Sequence, residues 1–261
     1  VPEFSMDMYG SELYPSRNEF KYPKAGENNA LVSLHLYDVA SAKVVMIDLG
    51  NAYYIPRIKW MNNANYLSVQ TLNRHQDQLK LLSVNATNKN VSLLLEEQDD
   101  AYVDITDNLT FLADDSFIWS SEKDGYNHLY LYDSKGKLKN QVTKGTWEVT
   151  NYYGYDKKAD KIYYQSTENG SINRDVYSIN SNGKSKKRLT EKTGQSYASF
   201  SADFTYFINT FSSATTPPEY TLHKAQSGKE VKKIKDNKAL LKKLEDYVIS
   251  PKEFSTLSVN G

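Results

Sequence analysis

Residues 111–149 read FLADDSFIWSSEKDGYNHLYLYDSKGKLKNQVTKGTWEV. Four short apolar or aromatic runs stand out: one at Phe111, then Phe117 to Trp119, Leu129 to Tyr132, and Leu138 to Val142. The breaks between them are Asp114-Asp115, Lys123-Asp124-Gly125 and Ser134-Lys135-Gly136-Lys137. Asp and Gly adopt tight and left-handed backbone at low cost, so the stretch predicts four antiparallel strands joined by hairpins, one blade of a β-propeller.

The rest of the chain repeats this pattern. An aromatic, a polar turn and a second apolar residue recur as Trp60 with Tyr66, Phe111 with Phe117, Tyr155 with Ile162, and Phe200 with Tyr206. The starts lie 51, 44 and 45 residues apart, a blade-sized period. Third strands recur in phase as QLKLLSVN from Gln78, HLYLYDS from His128, RDVYSIN from Arg174 and PEYTLHK from Pro218. Fourth strands follow from Val91, Leu138, Ser185 and Glu230. The competing architecture is a large β-sandwich with regular turns.

The flanks differ from the repeat. LVSLHLYDVASAKVVMIDLG, from Leu31 to Gly50, matches only the third and fourth strands of a blade, so its inner pair is expected upstream of Val1. Residues 1–29 carry Pro2, Pro15 and Pro23 among aromatics. They read as an irregular extended arm with edge pairing at most, because proline removes a ladder donor. Its aromatics, Phe4, Tyr9, Tyr14, Phe20 and Tyr22, are candidates for contact with a second subunit. Asn237 to Tyr247 places Ala239, Leu240, Leu244 and Tyr247 near one face of a short amphipathic helix. Pro251 is expected to end it, with a new strand over Glu253 to Val259. The divisions are therefore an arm at 1–29, half a blade at 30–50, blades at 51–100, 101–147, 148–194 and 195–236, and a connector with the start of a further domain at 237–261.

Composition narrows the function classes. The 261 residues have zero formal net charge, 21 Tyr and no Cys. Aromatic enrichment favours strands, and balanced charge argues against a nucleic-acid partner. No apolar run approaches the roughly 20 residues that span a bilayer. Four N-x-[ST] sites, at Asn85, Asn90, Asn108 and Asn169, are read as incidental.

No chemical motif is complete. There is no G-x-S-x-G, whose glycines permit the turn that exposes a nucleophilic serine, and no phosphate or dinucleotide loop. His35, His75, His128 and His223 lack H-x-x-x-H spacing, so no metal site is expected, and His128 is read as fixing a hairpin. Asp99-Asp100, Asp104, Asp107 and Asp114-Asp115 are read as turn residues, and Glu96-Glu97 as a solvated turn. The basic tracts GKSKKRL from Gly183 and KKIKDNKALLKK from Lys232 are read as lysine stripes that discourage edge pairing. Trp60, Trp119 and Trp147 are expected in the core. Neither a catalytic residue nor a cofactor is assigned.

Local blocks carry a resemblance to a known family. FKYPKAGENN from Phe20, SSEKDGYNHLYLYD from Ser120, VTKGTWEVT from Val142, EYTLHKA from Glu219 and DNKALLKKL from Asp236 occur in order along essentially the whole chain. They resemble the propeller of the dipeptidyl peptidase IV family, serine exopeptidases of the prolyl oligopeptidase class. The resemblance implies an all-β partial propeller, about four and a half blades of an eight-bladed parent. It further implies that the parent removes N-terminal dipeptides with Pro or Ala in second place, using Ser, Asp and His of an α/β-hydrolase domain outside this chain.

The family's glutamate pair, which grips the substrate amino terminus, would fall before Val1, and AYVDITDNLTF from Ala101 lacks the arginine that mammalian relatives present there. Implied partners are peptide substrates, the parent's own hydrolase domain and a second copy in a homodimer, with a periplasmic or cell-surface location. The alternative is a stand-alone propeller that binds peptides or proteins without a hydrolase domain.

Overall fold

The computed structural model describes residues 1–250 and 252–259. Strands β1 (Glu3–Met8) and β2 (Ser16–Lys21) form a two-stranded antiparallel ribbon. A second two-stranded sheet joins β3 (Leu34–Asp38) to β4 (Lys43–Ile47). The first four-stranded sheet runs β5 (Tyr54–Trp60), β6 (Tyr66–Leu72), β7 (Gln78–Asn85) and β8 (Val91–Gln98).

Three more four-stranded sheets follow in the same order. They are β9 (Thr110–Phe111), β10 (Phe117–Ser121), β11 (His128–Tyr132) and β12 (Leu138–Gln141); β13 (Val149–Asp156), β14 (Lys161–Ser166), β15 (Asp175–Asn180) and β16 (Lys187–Arg188); and β17 (Gln195–Phe200), β18 (Tyr206–Ser212), β19 (Glu219–Lys224) and β20 (Glu230–Lys235). Each is an antiparallel meander. Helix α1 (Lys238–Leu244) comes last. No helix among the described residues is long and apolar enough to cross a membrane.

The middle strands explain why the sequence shows continuous apolar runs and not alternation. Every residue of β10 and β11 is buried, as in a sheet covered on both faces, whereas β18 alternates buried residues with exposed or half-buried ones. Ile118, Leu129, Leu131 and Val142 pack against Val149, Ile162, Tyr164 and Ile179 of the next sheet. Tyr163, Val176 and Leu189 pack in turn against Phe207 and Ala225. Leu34 and Ile47 of the two-stranded sheet cover Leu67, Val69, Leu82 and Val84. This face-to-face stacking of four-stranded antiparallel blades is that of a partial β-propeller, the architecture expected from the repeat.

Contacts divide the chain into two compact units, Val1–Lys59 with Asn65–Val103, and Trp60–Ala64 with Asp104–Gly261.

A hydroxyl clasp closes two consecutive sheets in the second unit. Thr143, just past β12, accepts the Leu129 N–H at 2.9 Å, and Thr190, just past β16, accepts that of Val176 at 3.1 Å. Each threonine then meets the first residue of the third strand, His128 Nδ1 at 3.0 Å or Asp175 Oδ1 at 3.0 Å. These bonds satisfy buried backbone donors that the short fourth strands leave unpaired.

Four expectations need correction. Residues 1–29 are not irregular: Glu3↔Lys21 to Met8↔Ser16 form an unbroken register, because Pro2, Pro15 and Pro23 flank the strands without interrupting them. Residues 252–259 form no strand, since a strand needs a neighbour for its ladder; Pro251 lies outside the described residues. The helix is shorter than Asn237–Tyr247 and buries no residue. Trp60 is 53% exposed and not in the core, whereas Trp119 is fully buried and Trp147 is half-buried.

Candidate functional site

The arm residues separate into two groups. Phe4 and Phe20 face each other across the β1–β2 ladder with ring centroids 5.9 Å apart, and Tyr22 lies 6.0 Å from Phe4. Lys24 Nζ sits 4.5 Å from the centre of the Phe4 ring, a cation–π contact. Tyr9 and Tyr14 fall in the connection between the strands, where they are 82% and 80% exposed beside Leu13. The ribbon thus presents a small aromatic cluster at its base and an apolar tip in solvent.

Two of the four histidines, His128 and His223, serve structure. His128 Nε2 lies 3.0 Å from the Gly145 carbonyl, so that nitrogen donates and Nδ1 accepts from the Thr143 hydroxyl. The ring also meets Trp147 edge-on at 4.8 Å. His128 therefore fixes the segment after β12, not the hairpin before it. His223 is held the same way, Nδ1 donating to the Gly228 carbonyl at 2.8 Å and Nε2 accepting from Thr221 at 2.7 Å. Ser33 Oγ lies 2.9 Å from His35 Nε2, but the pair is exposed and no carboxylate among the described residues orients the ring, as a serine nucleophile requires.

The acidic residues bear out their reading as turns in part. Asp99 accepts the Ala101 N–H at 2.8 Å and Asp114 accepts from Ser116. The Ser116 hydroxyl holds the Asp114 carboxyl below its usual range. Glu96 is not in a turn: it lies within β8, 3.9 Å from Lys80 Nζ. Burial pushes the phenols of Tyr152, Tyr153, Tyr163 and Tyr177 up to about 12 and raises that of Tyr164 too, so these groups stay neutral and are unsuited to act as bases.

A feature that sequence reasoning missed is a cleft of about 480 Å3 between the β13–β16 and β17–β20 sheets. Arg188, Lys192, Asn209, Phe211, Thr221 and His223 contribute to its walls. Arg188 donates to the buried Asp175 carboxylate at 2.9 Å, and Lys192 pairs with Glu219. The cleft carries hydrogen-bonding groups and charges of both signs but no activated nucleophile.

Comparison with known proteins places this architecture. The family model described as dipeptidyl peptidase IV (DPP IV) N-terminal region matches residues 1–218. Among curated relatives, the probable dipeptidyl-aminopeptidase B of Phaeosphaeria nodorum is 28% identical over 97% of this chain and 30% of its own length. The dipeptidyl peptidase 4 of Trichophyton rubrum is 29% identical over 97% of this chain and 35% of its own. The crystal structure of Porphyromonas gingivalis dipeptidyl peptidase 4 is similar over 98% of this chain and 37% of that one, with 42% identity and a TM-score of 0.88. The chain thus spans about a third of the length of the proteins it matches.

Proposed function

Because the chain belongs to the dipeptidyl peptidase IV N-terminal region family, we propose that it is the non-catalytic propeller segment of a serine dipeptidyl aminopeptidase that removes N-terminal dipeptides with Pro or Ala in second place. The observation that carries this reading is the 42% identical match to a bacterial dipeptidyl peptidase 4 along 98% of the chain. A complete nucleophile, base and orienting carboxylate would come from a hydrolase domain outside these residues, where acyl transfer to serine takes place.

In this reading the first strands of the stacked sheets, such as β13 and β17, wall a funnel to the active site. Stacked sheets buried on both faces make such a wall stiff. A stiff wall of fixed bore admits extended peptide ends and excludes folded proteins. The ribbon β1–β2, with Tyr9, Leu13 and Tyr14 at its tip, supplies a contact to a second copy. Export to a periplasm or cell surface accompanies the same reading.

Hydrolysis of a Gly-Pro chromogenic amide by the full-length protein and by residues 1–261 tests it. Turnover by the full-length protein alone is expected. A folded full-length protein without turnover would overturn the reading and favour a binding propeller.

A further inference from the structure

We propose that the outer edge of the last two four-stranded sheets, with the cleft between them, binds an acidic polysaccharide bearing sulfate or carboxylate groups. The charge of the chain is zero but unevenly placed. Residues 184–192 and 224–238 together carry eleven Lys or Arg and three Asp or Glu, so these 24 residues have a net charge of +8 and the remainder −8. All eleven cations except the half-buried Arg188 are exposed.

The fold brings the two tracts together. They lie on β16 and β20, the edge strands of successive sheets, and Lys187 Nζ reaches across to the Ser227 carbonyl at 2.9 Å. Lys187, Lys192 and Lys229 border the cleft of about 480 Å3. Lys229, Lys232, Lys233 and Lys235 form no salt bridge among the described residues. From Lys229 along β20 to Lys235 the cations run for about 20 Å.

Lysines on β20 alone would be explained by protection of an edge strand. That role extends to the edge strand β16 but does not account for cations gathered around a cleft. A row of unpaired cations attracts a polyanion by releasing its condensed counterions. The cleft adds what a sugar ring needs between the charges: the Ser227 hydroxyl, the side-chain oxygen of Asn209, which has no hydrogen-bond partner among the described residues, and the ring of Phe211. A linear track beside a concave, polar cleft fits a chain of charged sugars better than a flat membrane.

The test uses the full-length protein with heparin as sulfated probe and polygalacturonate as carboxylate probe, and with duplex DNA and phosphatidylglycerol vesicles as rival anions. The set Lys187→Glu, Lys229→Glu, Lys232→Glu and Lys233→Glu should weaken heparin binding at least about 10-fold. The control set Lys43→Glu, Lys135→Glu, Lys157→Glu and Lys158→Glu makes the same change of charge elsewhere and should change it less than about twofold. Replacing the first four by Arg should keep binding, which separates lost charge from lost fold. Gly-Pro amide turnover measured on the same variants keeps this outcome separate from that of the proposed activity. Equal weakening by both Glu sets, no heparin or polygalacturonate binding at low salt, or tighter binding to DNA or vesicles would overturn the proposal.

Discussion

Two hairpins in this molecule are built alike and covered differently. The ribbon β1–β2 has six paired positions and the hairpin β10–β11 has five, both in unbroken antiparallel register. Each carries a cross-strand aromatic pair, Phe4 with Phe20 at 5.9 Å and Phe117 with Tyr132 at 5.2 Å. Yet all of β10 and β11 is buried, whereas in the ribbon only Phe4 and Phe20 are even partly covered. The ladder is therefore common to both, and a covering layer belongs to one. An isolated two-stranded hairpin is marginal in water, so the ribbon is the element whose order depends on what lies against it.

The sharpest contrast comes from truncating one side chain in each. Trp119→Ala removes a fully buried ring from β10 and should cost about 3–5 kcal/mol in urea unfolding. Tyr14→Ala at the exposed tip should change stability by less than about 0.5 kcal/mol. Comparable losses at the two sites would break the comparison.

Alkaline unfolding probes the same difference through the phenols. The folded value of Tyr152 is raised to about 12 by burial, so folding keeps its proton while the unfolded chain releases it from about pH 10. Its stabilisation is whole below pH 10 and is lost as pH rises through 12, by about 3 kcal/mol at most. Tyr152→Phe should move the alkaline midpoint upward. A smaller effect is expected at the clasp. Thr143→Val deprives the Leu129 N–H and His128 of their partner and should cost about 1–2 kcal/mol. Thr190→Val should cost a similar amount if the two clasps are equivalent.

The sequence made the covered sheets legible and the uncovered ribbon not. Strands buried on both faces require unbroken apolar runs, and Phe117 to Trp119 or Leu129 to Tyr132 show them plainly. In β1 and β2, Ser5, Asp7, Arg17 and Glu19 fill the strands with polar residues, which leaves only the prolines to read, and these sit at the ends. For Trp60 the periodic position fixes the strand but not whether that end of it is covered, and Arg57, Ile58, Lys59 and Trp60 are all exposed. The clasps had a signal, a threonine after the last apolar residue of the fourth strand in Val142-Thr143 and Leu189-Thr190. The cleft had none, since Lys187 and Ser227 are 40 residues apart and meet only when two sheets stack.

The arm gives the most direct test, because under the proposed function a second copy covers it. Sedimentation of the full-length protein should give the mass of a dimer, and Tyr9→Ser, Leu13→Ser and Tyr14→Ser combined should give a monomer that retains its fold. A variant that remains dimeric, or a wild-type protein that is monomeric with an ordered ribbon, would contradict the account.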